Sequence, residues 1–332
     1  MAAWLSAAVS AVWRGIFGPA PIQEVWVDRD TPLGMGPCFP KPHFTATRIL
    51  GKGVEAAAFL AQRHEDGQMR ALRKMANKKR WVDPLWGGSY WIDEFKSVER
   101  AMGICTHLQG LDNVVQCHGV YHMAGASFFD LEYLAGGSMY DRCAGPSAIY
   151  ADHYGRSTVT ETLARDWTQQ LLNANRGLIS RGVYHGDFHA SNVMFERPDG
   201  NQLKMIDFGH ALLFDPKNGN TMVGNSANIV GWPFIHAPET RVPHAVFDAD
   251  KATVFAIGRL MRLMLCWGWE NIRDSSDYAP DVFGRGDLSR DCIELLEAMT
   301  AADPNNRPTL ADCANHKWSH PHRPARKSKC CC

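Results

Sequence analysis

The chain has 332 residues, with 35 Lys and Arg balanced by 35 Asp and Glu, so its formal net charge is zero. Hydrophobic residues make up 45% and charged residues 21%, the mix of a globular protein. That excludes a disordered tail protein, a collagen-like repeat and a polybasic nucleic-acid binder. The length supports one large domain or two modest ones. No run approaches the roughly 18 apolar residues that a membrane span requires. The ten cysteines include no Cys-x-x-Cys pair. Cys38, Cys105, Cys117, Cys143, Cys266, Cys292 and Cys313 are dispersed and read as small buried hydrophobes in a reducing compartment.

In chain order, Trp4, Leu5, Ala8, Val9, Val12, Trp13 and Ile16 recur at helical spacing. They predict an apolar amphipathic helix, and no basic segment precedes them as a secretion signal requires. A Gly/Pro-rich stretch from Gly18 to Pro42 reads as an extended linker. Strands are expected at Thr47 to Leu50, Ala57 to Gln62 and Met69 to Lys74, the last two joined by the turn signal His64-Glu65-Asp66-Gly67. A helix is expected from about Ile92 to Leu108, then a strand pair at Val114 to Val120 and Ser127 to Tyr133. After Gly136-Gly137 the pattern turns helical: Thr160 to Ser180, Ala252 to Cys266 and Leu288 to Met299. A small strand-rich region before a larger helical one predicts two lobes with a cleft between them.

Chemistry concentrates in His185-Gly186-Asp187-Phe188-His189-Ala190-Ser191-Asn192, followed after a short hairpin by Asp207-Phe208-Gly209. Phosphoryl transfer from a nucleotide needs one carboxylate to take the nucleophile's proton. It needs another to hold the metal bridging the phosphates, with an amide oxygen nearby. Asp187, Asn192 and Asp207 supply these groups in that order. The arrangement resembles the catalytic loop and magnesium-binding motif of the eukaryotic-type protein kinase superfamily.

The resemblance covers Thr45 to Ser319. Gly51-Lys52-Gly53-Val54-Glu55-Ala56 stands where the family has its glycine-rich loop, and Glu132-Tyr133-Leu134 where it has the hinge that binds adenine, with Leu131 as gatekeeper. Ala237-Pro238-Glu239 resembles the end of an activation segment, and Asp303-Pro304-Asn305-Asn306-Arg307 a late signature. By analogy Glu239 and Arg307 pair in the interior.

The resemblance implies a bilobal α+β protein-kinase-like fold, with a β-rich lobe over 44–134 and a helical lobe over 138–319. The apolar helix and linker occupy 1–43, and a basic, Cys-terminated tail 320–332. It also implies transfer of the γ-phosphate of ATP, with Mg²⁺, to Ser or Thr hydroxyls of a protein substrate. In that reading Asp187 takes the proton, Asn192 and Asp207 hold the metal, and His189 stabilises the moving phosphoryl group. Arg73, assisted by Lys74, pairs the phosphates with Glu99 (Glu94 in reserve), Gly51 and Gly53 cover the nucleotide, and Ala71, Glu132 and Leu134 line the adenine.

The sequence departs from the family at several positions. Ala71-Leu72-Arg73-Lys74 puts Arg73 where the family has its strand lysine, and strand alternation sends Lys74 to the other face unless a bulge intervenes. Arginine's planar fork does not replace a point ammonium, so weakened activity is expected. Gly186 replaces the arginine that pairs an activation-segment phosphate, so dependence on such phosphorylation is expected to be slight. Trp232 and Thr253 replace a threonine and an aspartate of the family pattern, which leaves open a nucleotide-binding pseudokinase scaffold. His-Gly-Asp-x-His-x-x-Asn is also similar to aminoglycoside and choline phosphotransferases, which leaves open a small-molecule acceptor.

No nucleic-acid partner is indicated. Cys330, Cys331 and Cys332 beside Arg326, Lys327 and Lys329 suit acylation and an anionic lipid surface, with the N-terminal helix as a second anchor. Lys329, fourth from the end, excludes a C-a-a-X box. The expected location is cytoplasmic, at the cytoplasmic face of a membrane if the tail is lipidated.

Overall fold

The computed structural model describes residues 23–26, 40, 43–52, 56–76, 78–82, 89–93, 95–123, 126–143, 148–150, 157–223, 235–242, 244–265 and 285–320. The chain divides into two compact units, Met1–Leu134 and Ala135–Cys332. The expected N-terminal helix, Gly53, Glu94, Trp232 and the cysteine-rich tail lie outside the described residues.

Alternating apolar residues build the first unit. It contains β1 (Gln23–Trp26), β2 (Phe44–Lys52), β3 (Ala56–Arg63), β4 (Met69–Ala76), β5 (Lys78–Val82), β6 (Ser89–Asp93), α1 (Phe95–His107), β7 (Cys117–His122) and β8 (Ala126–Glu132). Six strands form one sheet in the order β1-β7-β8-β4-β3-β2. Because neighbours on a strand point to opposite faces, β8 sends Phe128 to one layer with Phe44, Ala61, Leu72 and Tyr121. It sends Phe129 to the other, against Val98 and Ala101 of α1. Burying each such large side chain contributes about 1.5–3 kcal/mol. The β3–β4 turn is set by Gly67, whose φ of 70° suits glycine.

Two features differ from expectation. Gln23–Trp26, inside the presumed linker, is a strand parallel to β7. β5 and β6 pair antiparallel, Trp81 opposite Tyr90, so helix α1 begins at Phe95 rather than near Ile92. Trp, Tyr, Ile and Val there favour a pleated surface over a helix.

The second unit is mostly helical, with α2 (Met139–Cys143), α3 (Glu161–Ser180), α4 (Ala249–Leu265), α5 (Arg290–Met299) and α6 (Leu310–Asn315). Thr160 caps α3 by accepting the Leu163 N–H, and Trp167, Leu171, Ala174 and Leu178 form its buried stripe. Helix α4 is buried almost all round, as its apolar run Val254–Ile257 and Leu260–Leu265 requires apart from Arg262. Glu161 ties three distant segments, accepting from Ser289 N (2.6 Å), Ser289 Oγ (2.8 Å) and Trp318 Nε1 (2.8 Å).

Short ladders complete the unit: β9 (Val183–Tyr184) with β12 (Leu212–Leu213), β10 (Val193–Phe195) with β11 (Leu203–Met205), and β13 (Thr221–Val223) with β14 (Val246–Asp248). A sheet-rich unit followed by a mostly helical one is the order that the sequence predicts. Among the described residues no helix is long and apolar enough to cross a membrane.

Candidate active site

Strand β9 leads directly into the loop His185–Asn192, and the β10–β11 hairpin brings the chain back to Asp207. Two bonds lock the loop to the segment before Asp207. Ile206 N donates to Asn192 O at 2.9 Å, and His185 Nε2 lies 3.0 Å from Ile206 O. Asp187 N donates to His185 Nδ1 at 3.3 Å, which assigns the ring proton to Nε2. The His185 ring packs against Phe208 at 4.8 Å and Phe188 at 5.8 Å. Burial drives its pKa down to about 4, against the pull of Asp187, the bond to Ile206 and Asp207. The imidazole is therefore a neutral brace that both carboxylates can feel.

Asp187 is held through Asn192, whose Nδ2 donates to Asp187 O at 2.8 Å and Oδ2 at 3.2 Å. Ser191 N donates to His189 Nδ1 at 3.2 Å, leaving Nε2 to carry the proton toward Asp187 Oδ1 at 3.4 Å. Beyond that long contact, Asp187 Oδ1 is buried without a hydrogen-bond partner. Burial alone would raise this carboxyl, but the hydrogen bond and charge of His189 and the neighbouring His185 outweigh it and hold it below its ordinary range. The result is an ionised carboxylate with one oxygen ready to accept.

Asp207 sits at φ 60°, ψ 73°, with its Oδ1 accepting Gly209 N at 3.2 Å. A non-glycine residue in this left-handed region is a strained position that the fold maintains. Gly186 has φ 76°, and a β-carbon there would lie 2.2 Å from His210 O. The close approach of the segment after Asp207 thus excludes any side chain at the position where the family has arginine.

Sheet register separates the candidates on β4. Arg73 lies opposite Phe129 and Ala58, Lys74 opposite Phe128 and Ala57. Arg73 therefore shares the face of helix α1, which carries Glu99, while Lys74 lies on the far face with its Nζ 6.0 Å from the Phe128 ring. No slip or bulge on β4 reverses this, so the assisting role expected for Lys74 is corrected: it does not share a face with Arg73. Ala71 pairs with Leu131 and Leu60. Glu132 Oε1 accepts Gln116 N at 2.7 Å, and Leu134 is buried. A β-carbon at Gly51 meets nothing within 4 Å, so packing alone does not demand glycine there.

Glu239 and Arg307 form a bidentate pair, at 2.6 Å and 2.9 Å. Thr253 Oγ1 donates to Ala249 O, within its own helix, at 2.6 Å. Sequence reasoning missed Arg142. It is buried against Phe195 at 3.7 Å and donates to Gly136 O (3.0 Å), Gly200 O (2.8 Å), Arg197 O (2.6 Å) and Pro198 O (3.1 Å). It fixes the turn of the β10–β11 hairpin to the start of the unit. Its partners are backbone carbonyls, which leave no trace in residue identity.

The donor set suits Mg²⁺. Asn192 turns its Nδ2 to Asp187 and so leaves its amide oxygen as an acceptor, and Asp207 adds a carboxylate. Hard oxygen donors, few in number, fit a cation that keeps several waters and phosphate oxygens. Among the described residues no cluster of three or more His, Cys, Asp or Glu forms a separate metal cage.

Comparison with known proteins agrees. The family described as "Protein kinase domain" matches residues 44–319. Calcium-dependent protein kinase 10 of Oryza sativa subsp. japonica is 26% identical over 292 residues, covering 84% of this chain and 44% of that protein. CBL-interacting protein kinase 5 of Oryza sativa subsp. japonica is 27% identical over 280 residues, covering 82% and 54%. The chain thus spans about half the length of the curated relatives it matches. The solved twitchin kinase region from C. elegans is similar with TM-score 0.66 at 19% identity, covering 94% of this chain and 49% of that one, a likeness of fold. Matched from the start of β2 to beyond α6, this chain belongs to the protein kinase family.

Proposed function

We propose that the protein transfers the γ-phosphate of ATP to Ser or Thr hydroxyls of a protein substrate. The observation that supports this reading is Asp187, ionised and anchored by Asn192, with a buried Oδ1 whose one close neighbour is His189 Nε2 at 3.4 Å. Mg²⁺–ATP supplies the electrophilic phosphoryl group and spreads its charge. Asp187 accepts the proton of the incoming hydroxyl. Asn192 and Asp207 hold the metal, while His189 donates to the phosphoryl oxygens. Arg73, balanced by Glu99, pairs the phosphates, and Gly51 and Gly53 let the backbone approach them. Ala71 and the backbone of Glu132 and Leu134 receive the adenine. Ala237-Pro238-Glu239 and the Arg307 signature favour a protein acceptor over a small molecule. S-acylation of Cys330, Cys331 and Cys332 beside basic residues would bring the protein to an anionic membrane face, and their replacement by serine should release it to the soluble fraction.

Transfer of label from γ-labelled ATP to a serine/threonine peptide library tests the reading. Wild type should incorporate label with Mg²⁺, and Asp187→Asn should lose it by about 10²-fold or more. Equal incorporation by both proteins would refute the assignment.

The self-contained hydrogen bond of Thr253 and the arginine at position 73 favour a second reading, a nucleotide-binding scaffold with little turnover. A nucleotide-induced thermal shift without transfer in any substrate panel would select it.

A further inference from the structure

Helix α1 and strand β7 each bring one thiol into the apolar layer they share. Cys105 of α1 packs against the cluster in which Cys117, the first residue of β7, is buried with Val98, Ala101, Val120 and Phe129, so the two sulfurs are neighbours in one apolar layer. The β7–β8 register shifts between Cys117 and Gly119. This irregularity sets Cys117 opposite Leu131, on the helix-facing side of the sheet. The strand end is fixed there: the Gln109 side-chain amide donates to Cys117 O, and the Cys117 thiol donates to Gly119 O at 3.5 Å.

The two sulfurs differ in access. Cys117 is buried and Cys105 half-buried, and both are free thiols. The neighbouring Cys105 sulfur, and then burial, push the Cys117 thiol well above its ordinary range, so it keeps its proton. Cys105 is the sulfur that a small oxidant reaches first. Closing these neighbouring thiols to the roughly 2.05 Å of a disulfide would draw helix α1 against strand β7.

We infer that Cys105 and Cys117 form a reversible disulfide, driven by hydrogen peroxide, that pins helix α1 to strand β7. The Cys105 thiolate attacks one peroxide oxygen, the O–O bond breaks, and hydroxide leaves, giving a sulfenic acid. The Cys117 sulfur then attacks the sulfenic sulfur. The S–O bond breaks and water departs with the Cys117 proton, so two thiols and one peroxide give one disulfide and two waters. Glu99 lies on the same helix, so fixing α1 fixes the carboxylate assigned to Arg73. This functional consequence rests on the phosphotransfer reading, whereas the bond itself does not.

The test uses the full chain treated with hydrogen peroxide, quenched by alkylation and mapped by peptide mass. Expected is a linked Cys105–Cys117 peptide, lost on dithiothreitol treatment and absent from Cys105→Ser and Cys117→Ala. A sulfinic or sulfonic Cys105 with Cys117 still alkylated, or a link between another pair, would overturn the inference. Oxidation should also change the phosphate-transfer rate about fivefold or more, reversibly, in wild type and not in Cys105→Ser. A fully linked protein with an unchanged rate would overturn the regulatory role. The mass readout separates failure of the bond from failure of the phosphotransfer reading.

Discussion

Replacing Glu239 by glutamine should destabilise the helical unit severely while changing almost nothing in shape. The Arg307 side chain has 0% exposure and that of Glu239 15%. Every guanidinium donor is used: Nε to Ala301 O, Nη1 to Glu239 and Lys251 O, Nη2 to Glu239 and Ala302 O. The plane also lies 4.8 Å from the Phe255 ring. Glu239→Gln removes the one carboxylate that pairs with this guanidinium among the described residues and sets an NH₂ donor against an arginine donor. Breaking a buried ion pair from one side costs about 3–5 kcal/mol. Because the amide oxygen retains one charge-assisted bond, a loss of about 3 kcal/mol is expected. In a domain of this size that corresponds to a Tm decrease of roughly 6–12 °C. Scanning calorimetry of wild type, Glu239→Gln and Arg307→Lys reads it directly. A shift below about 2 °C would refute the reasoning, because the pair would then be behaving as a solvated surface contact.

Three further outcomes follow from the site. His185 has a folded pKa of about 4 against roughly 6.5 unfolded, so the unfolded chain binds more protons in that window. Stability is complete above the unfolded value and falls by about 3 kcal/mol toward pH 4. Asp130 acts with the opposite sign, since burial raises it to about 6 against the pull of Arg70 and Arg63. Asp130→Asn should therefore steepen the acid decline in urea unfolding, and a flat profile in that variant would contradict the account. Phosphatase treatment should leave transfer activity unchanged, because Gly186 supplies no cation to pair a phosphate, while Thr221–Val223 are held by pairing with β14 and by Ala249 N donating to Asn220 O at 2.8 Å. A dephosphorylated enzyme that becomes inactive would show the opposite. Arg73→Lys should raise kcat/KM and Arg73→Met lower it, and equal rates in all three proteins would remove Arg73 from the phosphate site.

The legible parts of the sequence were those with a period or a fixed spacing. Gly67 closes the β3–β4 hairpin at a positive φ, and two-residue alternation alone sends Arg73 and Lys74 to opposite faces. The return of the chain from the loop His185–Asn192 to Asp207 was readable because a short hairpin with a turn signal separates them. Strands of three residues such as β13 and β14 are too short to show a period, and their pairing depends on a contact twenty-odd positions away. The β5–β6 hairpin was obscured because its aromatic residues fit either a strand or the start of helix α1. Arg142 was invisible for a different reason: a charged residue is read as solvated, and its carbonyl partners can be supplied by any sequence. Gly186 was recognised as a missing cation, but the clash with His210 O that makes glycine necessary exists only in three dimensions.

The central claim is a division of labour between Asp187 and Asp207, one serving the hydroxyl and the other the metal. Calorimetric titration of ATP with and without Mg²⁺, run beside the transfer assay, measures it most directly. Asp207→Ala should lose the metal-dependent part of nucleotide binding, and Asp187→Asn should bind Mg²⁺–ATP as wild type does yet transfer no phosphate. Wild-type-like, metal-dependent binding by Asp207→Ala, or undiminished transfer by Asp187→Asn, would contradict the account.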